Sequence, residues 1–306
     1  MEEDNIVNSY IGEIAGLGTS VCWTFTSILF TIASQRIGSL VVNRARLLLA
    51  VIFLLITHFA ILGEWLPLQA GATRWFWLGL SGVIGLTLGD LFLFQSFVWI
   101  GPRRAMLLMS LAPIMGALVA WLALGETLSL LEMVAVGLTV GGVGWVVLEK
   151  ENGNGSQIDR RHYWLGIALG IGAALGQALG LIASKVGMEG DFAPLSANVI
   201  RMLVAMAVMW AYTLLRGEAQ PTFKALGDKK ASLATLGGSL VGPFIGVWLS
   251  LIAVQLTRVG IASTLMALPP VLVLPLSHWI FKEKITWQAV AGTAVAIGGV
   301  ALLFLI

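Results

Sequence analysis

The sequence predicts an all-helical membrane protein in which ten transmembrane helices form two inverted five-helix repeats. Of its 306 residues, 58% are apolar and only 11% are charged, whereas soluble domains are about a quarter charged. The apolar stretches are long enough to cross a hydrocarbon core of ~30 Å, which takes about 20 helical residues. The alternating pattern of a β-barrel is absent. A net charge of +2 without a basic run argues against a nucleic-acid partner.

Ten apolar stretches follow one another between charged and turn residues. The expected helices occupy 11–34, 42–62, 75–100, 104–124, 129–148, 163–186, 195–215, 233–256, 259–281 and 285–306. Several connections between them are only a few residues long. Short connections force consecutive helices to run antiparallel, so the chain is expected to cross the membrane with each stretch.

A polar, glycine-rich linker at 149–161 divides the chain into a first repeat, 1–148, and a second, 162–306. Shifting the chain by 155 lays Asn43 and Arg46 on Asn198 and Arg201. A shift of 157 pairs Gly85 with Gly242, Gly89 with Gly246, Pro113 with Pro270, and Gly141-Gly142 with Gly298-Gly299. Chance resemblance between apolar helices explains leucine matches, but it poorly explains collinear Asn, Arg, Gly and Pro matches.

The basic residues indicate that the two repeats point in opposite directions. Five helices per half is an odd number, so the second half enters the membrane from the other side. The hairpin between helices two and three carries Arg74 alone, whereas the equivalent second-half hairpin carries four basic residues. One face collects all but four of the 18 Lys and Arg residues. The positive-inside rule makes that face cytoplasmic, which places both termini on the non-cytoplasmic side of the plasma (bacterial inner) membrane.

Two segments resemble a known family. Ser110-Leu111-Ala112-Pro113 through Gly125-Glu126-Thr127-Leu128-Ser129, and the second copy from Leu268-Pro269-Pro270 to Lys282-Glu283-Lys284, resemble the EamA-like family of the drug/metabolite transporter superfamily. The resemblance implies two five-helix units and export of amino acids, metabolites, nucleotide sugars or drugs. The sequence departs from the family where many members carry Glu before the span-four proline, here Ala112 and Pro269. The family's usual orientation, with both termini cytoplasmic, also contradicts the charge pattern.

Inverted repeats place the substrate near the bilayer midplane, where matched helices are interrupted by Gly or Pro. Proline removes a backbone donor and kinks its helix, and the freed polar backbone is tolerated only beside protein or a wet cavity. The expected helix breaks lining such a cavity are Gly89, Pro113, Gly246, Pro269 and Pro270. The alternative is that the glycines only permit close helix packing.

Three charged residues are expected deep within the bundle. Asp90 lies ten residues before Ile100 and therefore ~15 Å inside its membrane face, where an ionised group must point away from lipid. It could bind an ammonium group or a proton, or pair with an arginine. Arg46 and Arg201, each two turns inside a helix, could hold a substrate carboxylate or close a gate against Asp90. Their alternative is snorkelling toward the headgroups.

Four further residues are expected to line the cavity with apolar and hydrogen-bonding surface: Trp23, Gln95, Gln177 and Trp248. Each could instead pack in the core or connect two helices. The sequence thus predicts a monomeric secondary transporter that exports or exchanges a small amphipathic metabolite, such as an amino acid, by alternating access. A proton is a candidate coupling ion, and neither a cofactor nor a metal is expected. A lipid flippase or scramblase on the same fold is the alternative. An enzyme is disfavoured, because Gly79-Leu80-Ser81-Gly82 has no recognisable base.

Overall fold

A computed structural model describes residues 2–124, 129–148, 159–190, 192–256 and 265–305. Every regular element in these ranges is helical, which confirms the predicted all-helical class. Most of the predicted linker, at 149–158, lies outside the described residues, as do Glu126 and Arg258.

The described residues of the first half form six α-helices and a π-helical segment. They are α1 (Glu2–Ile37), α2 (Ser39–Leu62), α3 (Ala72–Ser81), the first π segment (Gly82–Gly89), α4 (Asp90–Met109), α5 (Ala112–Leu124) and α6 (Leu130–Val147). A single 3-10 turn, Leu68–Ala70, lies between α2 and α3.

The second half repeats this order. It comprises α7 (Arg160–Gly187), α8 (Pro194–Leu215), the short α9 (Ala219–Ala225), α10 (Lys229–Ser239), the second π segment (Leu240–Gly246), α11 (Val247–Leu256), α12 (Pro269–Phe281) and α13 (Trp287–Leu305). Each π segment therefore lies inside one long helical unit, α3–α4 or α10–α11, and ends at the predicted break, Gly89 or Gly246.

Six helical units in the described residues are long and apolar enough to cross a membrane. They are Tyr10–Ile37, Ser39–Leu62, Ala72–Met109, Arg160–Gly187, Pro194–Leu215 and Lys229–Ala253. Shorter apolar helices occupy Met133–Val147, Pro269–Phe281 and Trp287–Leu302. The length and apolar composition of these helices make the chain an integral membrane protein. The count of ten spans stays a prediction.

Several predicted boundaries are wrong, because single residues make the connections. Only Gly38, at φ 87°, separates α1 from α2, where the sequence predicted a gap from 35 to 41. Glycine adopts this positive φ without a Cβ clash. The predicted connection between the third and fourth stretches is likewise one residue, Gly101 at φ 78° and ψ 163°.

The predicted fourth stretch, 104–124, is not one continuous helix. It divides at Ser110 and Leu111 into the end of α4 and the start of α5. Pro113, the second residue of α5, has no N–H to donate to a preceding carbonyl, which favours a break here. In the second half, α12 begins at Pro269 with Pro270 next, at the equivalent point of the repeat.

The two halves pack through matched contacts. Helix α1 packs against α10, the second π segment and α11, and α7 packs in the same way against α3, the first π segment and α4. Helix α2 packs on its counterpart α8, and α6 on α13. Exchanging the two halves therefore maps the contacts of α1 onto those of α7, and it maps each of the last two pairs onto itself.

Small residues permit the closest of these approaches. A Cβ at Gly176 of α7 would lie 3.0 Å from the Cα of Gly89. At the matching place in the other half, a Cβ at Gly246 would lie 3.1 Å from the Cβ of Cys22. The predicted alternative, that these glycines allow close packing, is therefore realised at the same positions that end the π segments.

Candidate functional site

The first π segment supplies the backbone acceptors of the site. Its wider turn shifts the helical hydrogen bonds and leaves carbonyl groups available to side chains. Asn43 Nδ2 donates to the Thr87 carbonyl at 2.9 Å, and Arg46 Nη2 donates to the Leu86 carbonyl at 2.6 Å. The segment ends at Gly89, so Asp90 begins α4 directly beside these bonds. The helix break thus aims both backbone and side-chain polar groups at one place.

Asp90 forms a buried ion pair with Arg46. Its Oδ2 lies 2.6 Å from Arg46 Nη2, and the side chains of Asp90 and Arg46 are only 10% and 2% exposed. Asp90 Oδ1 accepts a hydrogen bond from Gln177 Nε2 at 3.0 Å. The sequence placed all three residues in the site, and the structure brings them together. Because Gln177 lies on α7, the cluster joins the two halves of the chain.

Arg46 has a partner on every side. Its Nε donates to Asn43 Oδ1 at 2.9 Å, and its guanidinium carbon lies 5.1 Å from the centre of the Phe94 ring. These contacts hold the arginine among protein groups, so it does not snorkel toward headgroups.

The second half contains the same elements with different partners. Asn198 Nδ2 donates to the Pro243 carbonyl of the second π segment at 3.3 Å. Arg201 is buried, with 6% of its surface exposed, and it interacts electrostatically with Asp90. Within the described residues no carboxylate lies at ion-pair distance from Arg201. The position equivalent to Asp90 is Val247, so the repeat has two arginines and one aspartate.

The other predicted residues make their contacts elsewhere in the described structure. Gln95 Oε1 accepts from Ser39 Oγ at 2.6 Å, so Gln95 connects α4 to the start of α2. It lines an open cleft of about 540 Å³ between the α1–α2 turn and α9. Trp23 and Trp248 are both half-buried near the second π segment. The Trp248 ring lies 6.2 Å from that of Phe244, and Trp23 borders Gly246.

Sequence reasoning missed four residues of the site: Asn43, Asn198, Ser39 and Phe94. The two asparagines carried a usable signal, because each precedes an arginine by three residues in both copies. Residues three apart lie on one helix face, so the spacing could have predicted the contact between Asn43 and Arg46. Ser39 and Phe94 have no such signal, since their roles arise from contacts between distant helices.

Ion pairs and hydrogen bonds also connect the halves at the helix ends. Arg36 at the end of α1 lies 2.7 Å from Asp228, the residue that caps α10. Hydrogen bonds from Arg36 and from the Ala231 N–H lower the pKa of Asp228 to about 2, so its carboxylate is ionised at neutral pH. At the equivalent helix ends in the exchanged halves, Arg74 Nη2 donates to the Glu189 carbonyl at 2.9 Å. Each contact joins the third helical unit of one half to the end of the first helix in the other.

The buried Arg44 forms a further pair with Glu218, and Arg103 donates to the Lys284 carbonyl at 2.7 Å. In the part of the chain that the structure describes, no group of three or more His, Cys, Asp or Glu could hold a metal ion.

The model of the EamA-like transporter family matches residues 10–148 and again 164–305. The chain belongs to the EamA-like transporter family. Both the predicted resemblance and the predicted two-repeat architecture are thereby confirmed, and this EamA-like chain is a membrane transporter of the drug/metabolite type. Family members are transporters rather than enzymes, in agreement with the sequence prediction.

Solved structures support the same fold. One crystal structure, described only as that of a protein, superposes with a TM-score of 0.61 at 16% identity. The match covers 96% of this EamA-like chain and 97% of the other. At that identity the likeness concerns the fold alone. No curated protein matches the sequence significantly.

Proposed function

We propose that this EamA-like protein is a secondary transporter that exports or exchanges a small amphipathic metabolite, such as an amino acid. The observation that carries the proposal is the Asp90–Arg46–Gln177 cluster, which is buried where the two halves meet. Ionisable groups inside transmembrane segments are expensive and characteristically mark substrate or ion pathways. We further propose a monomer in the plasma membrane, with units 1–148 and 162–306 inverted relative to each other.

The site would use its residues in two ways. Asp90 and Gln177 offer a charge and an amide to the polar part of the substrate, and Trp23 and Trp248 offer apolar surface beside the second π segment. Gln95 lies at the cleft near the α1–α2 turn, where it would meet the substrate on its way to the centre. We propose that Gly89, Gly246, Pro113, Pro269 and Pro270 line the cavity as helix breaks.

We infer alternating access from the matched contacts between the halves. Arg36–Asp228 joins the halves at one pair of helix ends, and Arg74–Glu189 joins them at the equivalent pair. In inverted repeats these two contacts lie on opposite faces of the membrane. Breaking one while the other holds would open the centre to one side at a time. Arg46–Asp90 would be the inner closure, since a substrate amine or a proton competes for the same carboxylate.

Liposome uptake tests this function directly. We expect the purified full chain to move at least one member of a panel of amino acids, amines, organic acids and nucleosides. With Asp90→Asn, uptake falls to background or loses its response to a pH gradient, because the variant carboxamide carries no charge and binds no proton. Wild-type uptake by Asp90→Asn, with no pH response in either protein, would remove Asp90 from the mechanism.

The same liposomes test the alternative function. Fluorescent phospholipids placed in one leaflet report lipid movement during the same experiment. Lipid translocation without uptake of any solute would contradict the solute carrier and favour a flippase or scramblase. Glu64→Gln, a substitution in the loop after α2 and away from the cluster, is the control for a general effect of removing a carboxylate.

A further inference from the structure

The repeat makes the two halves of the site directly comparable. In the first half, Arg46 Nε donates to Asn43 Oδ1 at 2.9 Å. In the second half, the equivalent atoms, Arg201 Nε and Asn198 Oδ1, are both buried and both lack a hydrogen-bond partner. The second half therefore lacks this hydrogen bond, which leaves a donor and an acceptor unpaired on the same helix face.

The charges of the two halves differ as well. Asp90 is bound through one oxygen to Arg46 and through the other to Gln177. Arg201 interacts with Asp90 only at longer range, because it is outside ion-pair distance. Two guanidiniums share one carboxylate, so the centre holds one uncompensated positive charge. A buried charge without a partner is unfavourable, and an anion that enters this centre removes the imbalance.

Arg201 lies where the two halves of the chain meet. The Arg201 carbonyl touches Gly82, the first residue of the first π segment, so closely that a Cβ there would clash. Helix α8 thus meets the segment that leads to Asp90 at this residue. Arg201 therefore lies at the junction of the halves.

We propose that Arg201 and Asn198 form the substrate subsite and that it binds a small monoanionic 2-hydroxy acid. The proposal rests on the transport function proposed above and takes a hydroxy acid as the substrate class, in place of the amino acid given there as an example. A free Nε allows the guanidinium to grip a carboxylate side-on through two parallel hydrogen bonds. Asn198 Oδ1 is an acceptor and requires a donor, which the neighbouring hydroxyl of such an acid supplies.

The net charge of this substrate distinguishes it from related compounds. A net charge of −1 neutralises the centre, whereas a zwitterionic amino acid leaves the excess positive charge in place and an amine adds to it. A phosphate dianion would reverse the sign of the imbalance. A carboxylic acid without the hydroxyl would satisfy Arg201 but leave Asn198 Oδ1 without a donor.

Matched probes test the proposal with the full chain. One set has three carbons (lactate, propionate, alanine), and a second has a six-carbon skeleton (2-hydroxy-4-methylpentanoate, 4-methylpentanoate, leucine). Thermal unfolding in detergent measures binding, and liposome uptake measures transport. We expect the hydroxy acid of at least one set to raise the Tm and to be taken up in preference to the other two.

Variants then assign the contacts. Arg201→Gln should abolish binding of both acids, and Arg201→Lys should restore part of it because the charge returns without the side-on geometry. Asn198→Ala should weaken binding of the hydroxy acid about tenfold, to the affinity of the acid without the hydroxyl. The affinity for the acid without the hydroxyl should not change. Arg216→Gln, at an exposed arginine beyond the end of α8, is the matched control and should bind like the wild type.

The outcomes separate this inference from the transport function. A preference for the amino acid, or binding that survives Arg201→Gln, overturns the inference while uptake itself supports the carrier. If no hydroxy acid is bound or taken up, the inference is also overturned, whatever the wider panel shows. Lipid translocation without solute uptake contradicts the carrier, and a Tm increase dependent on Arg201 would still locate an anion site.

Discussion

Asp90 and Arg46 form a buried pair in which each charge has the other as its counter-ion. Both are buried, and their oxygen and nitrogen atoms are 2.6 Å apart. Removing one partner of a buried pair leaves the other charge unpaired, which costs about 3–5 kcal/mol, whereas removing both can be nearly neutral. The pair therefore need not stabilise the fold, but neither residue can be replaced alone without leaving a buried charge unpaired.

A double-mutant cycle, completed by the single variant Arg46→Gln, measures that dependence. We expect Asp90→Asn to lower the free energy of unfolding by about 3–5 kcal/mol, because Arg46 loses its counter-ion. The double variant Asp90→Asn with Arg46→Gln should recover most of that loss but no transport. Thermal unfolding in detergent, followed by liposome uptake, provides both readouts. An Asp90→Asn variant as stable as the wild type would show that the pair is absent in the membrane.

At this scale the sequence predicted the participants but not their pairing. Asp90, Arg46 and Gln177 were all expected in the site, because polar groups deep in apolar stretches have few other places to go. The repeat suggested that Arg46 and Arg201 would be equivalent. They differ because Asp90 has Val247 as its counterpart, and only the packed structure shows which arginine binds the one carboxylate.

Among the elements, α6 and α13 show how the repeat sets helix packing. A Cβ at Gly142 of α6 would lie 2.6 Å from the Gly292 carbonyl oxygen of α13. In the matching contact, a Cβ at Gly299 would lie 2.7 Å from the Ala135 carbonyl oxygen. The two backbones therefore touch through glycines that the sequence had paired by the repeat alone.

Gly142→Ala should destabilise the protein by about 1–3 kcal/mol, because the obstructing atoms are backbone and the helices must separate to admit a methyl group. Gly141→Ala is the matched control on the same helix, since nothing lies within 4 Å of its Cβ. Alanine there should be neutral or stabilising by up to about 1 kcal/mol, as it restricts the unfolded chain and favours the helix. Unfolding midpoints in detergent compare the two, and equal effects would contradict this packing.

The helix boundaries were less predictable than the helices. Hydropathy averages over many residues, so it found the long apolar elements but placed gaps of several residues where single residues, Gly38 and Gly101, make the connections. It also treated the stretch through Ser110 and Leu111 as continuous, although Pro113 interrupts it. The two π segments fall at glycines expected to break the helices, yet their hydrogen-bond pattern depends on side chains from other helices, such as Asn43 and Asn198.

For the whole molecule, the repeat and the charges lead to one arrangement. The matched contacts between halves, such as α1 with α11 and α7 with α4, require two equivalent units. Five helices in each unit would insert the second in the opposite direction. The family model establishes the two units over 10–148 and 164–305, but it leaves their absolute orientation open. The distribution of basic residues is the sequence feature that addresses that orientation.

Reporter fusions test the orientation of the whole chain. A periplasmic alkaline phosphatase placed after Ile306 should be active and a fluorescent protein there dark, because the positive-inside rule assigns the basic hairpins to the cytoplasm. The same reporters fused after Gly217, within the basic hairpin that follows α8, should give the reverse result. Inactive phosphatase and bright fluorescence at Ile306 would restore the usual family orientation. In that case the Arg36–Asp228 contact would lie on the outer face and Arg74–Glu189 on the cytoplasmic one.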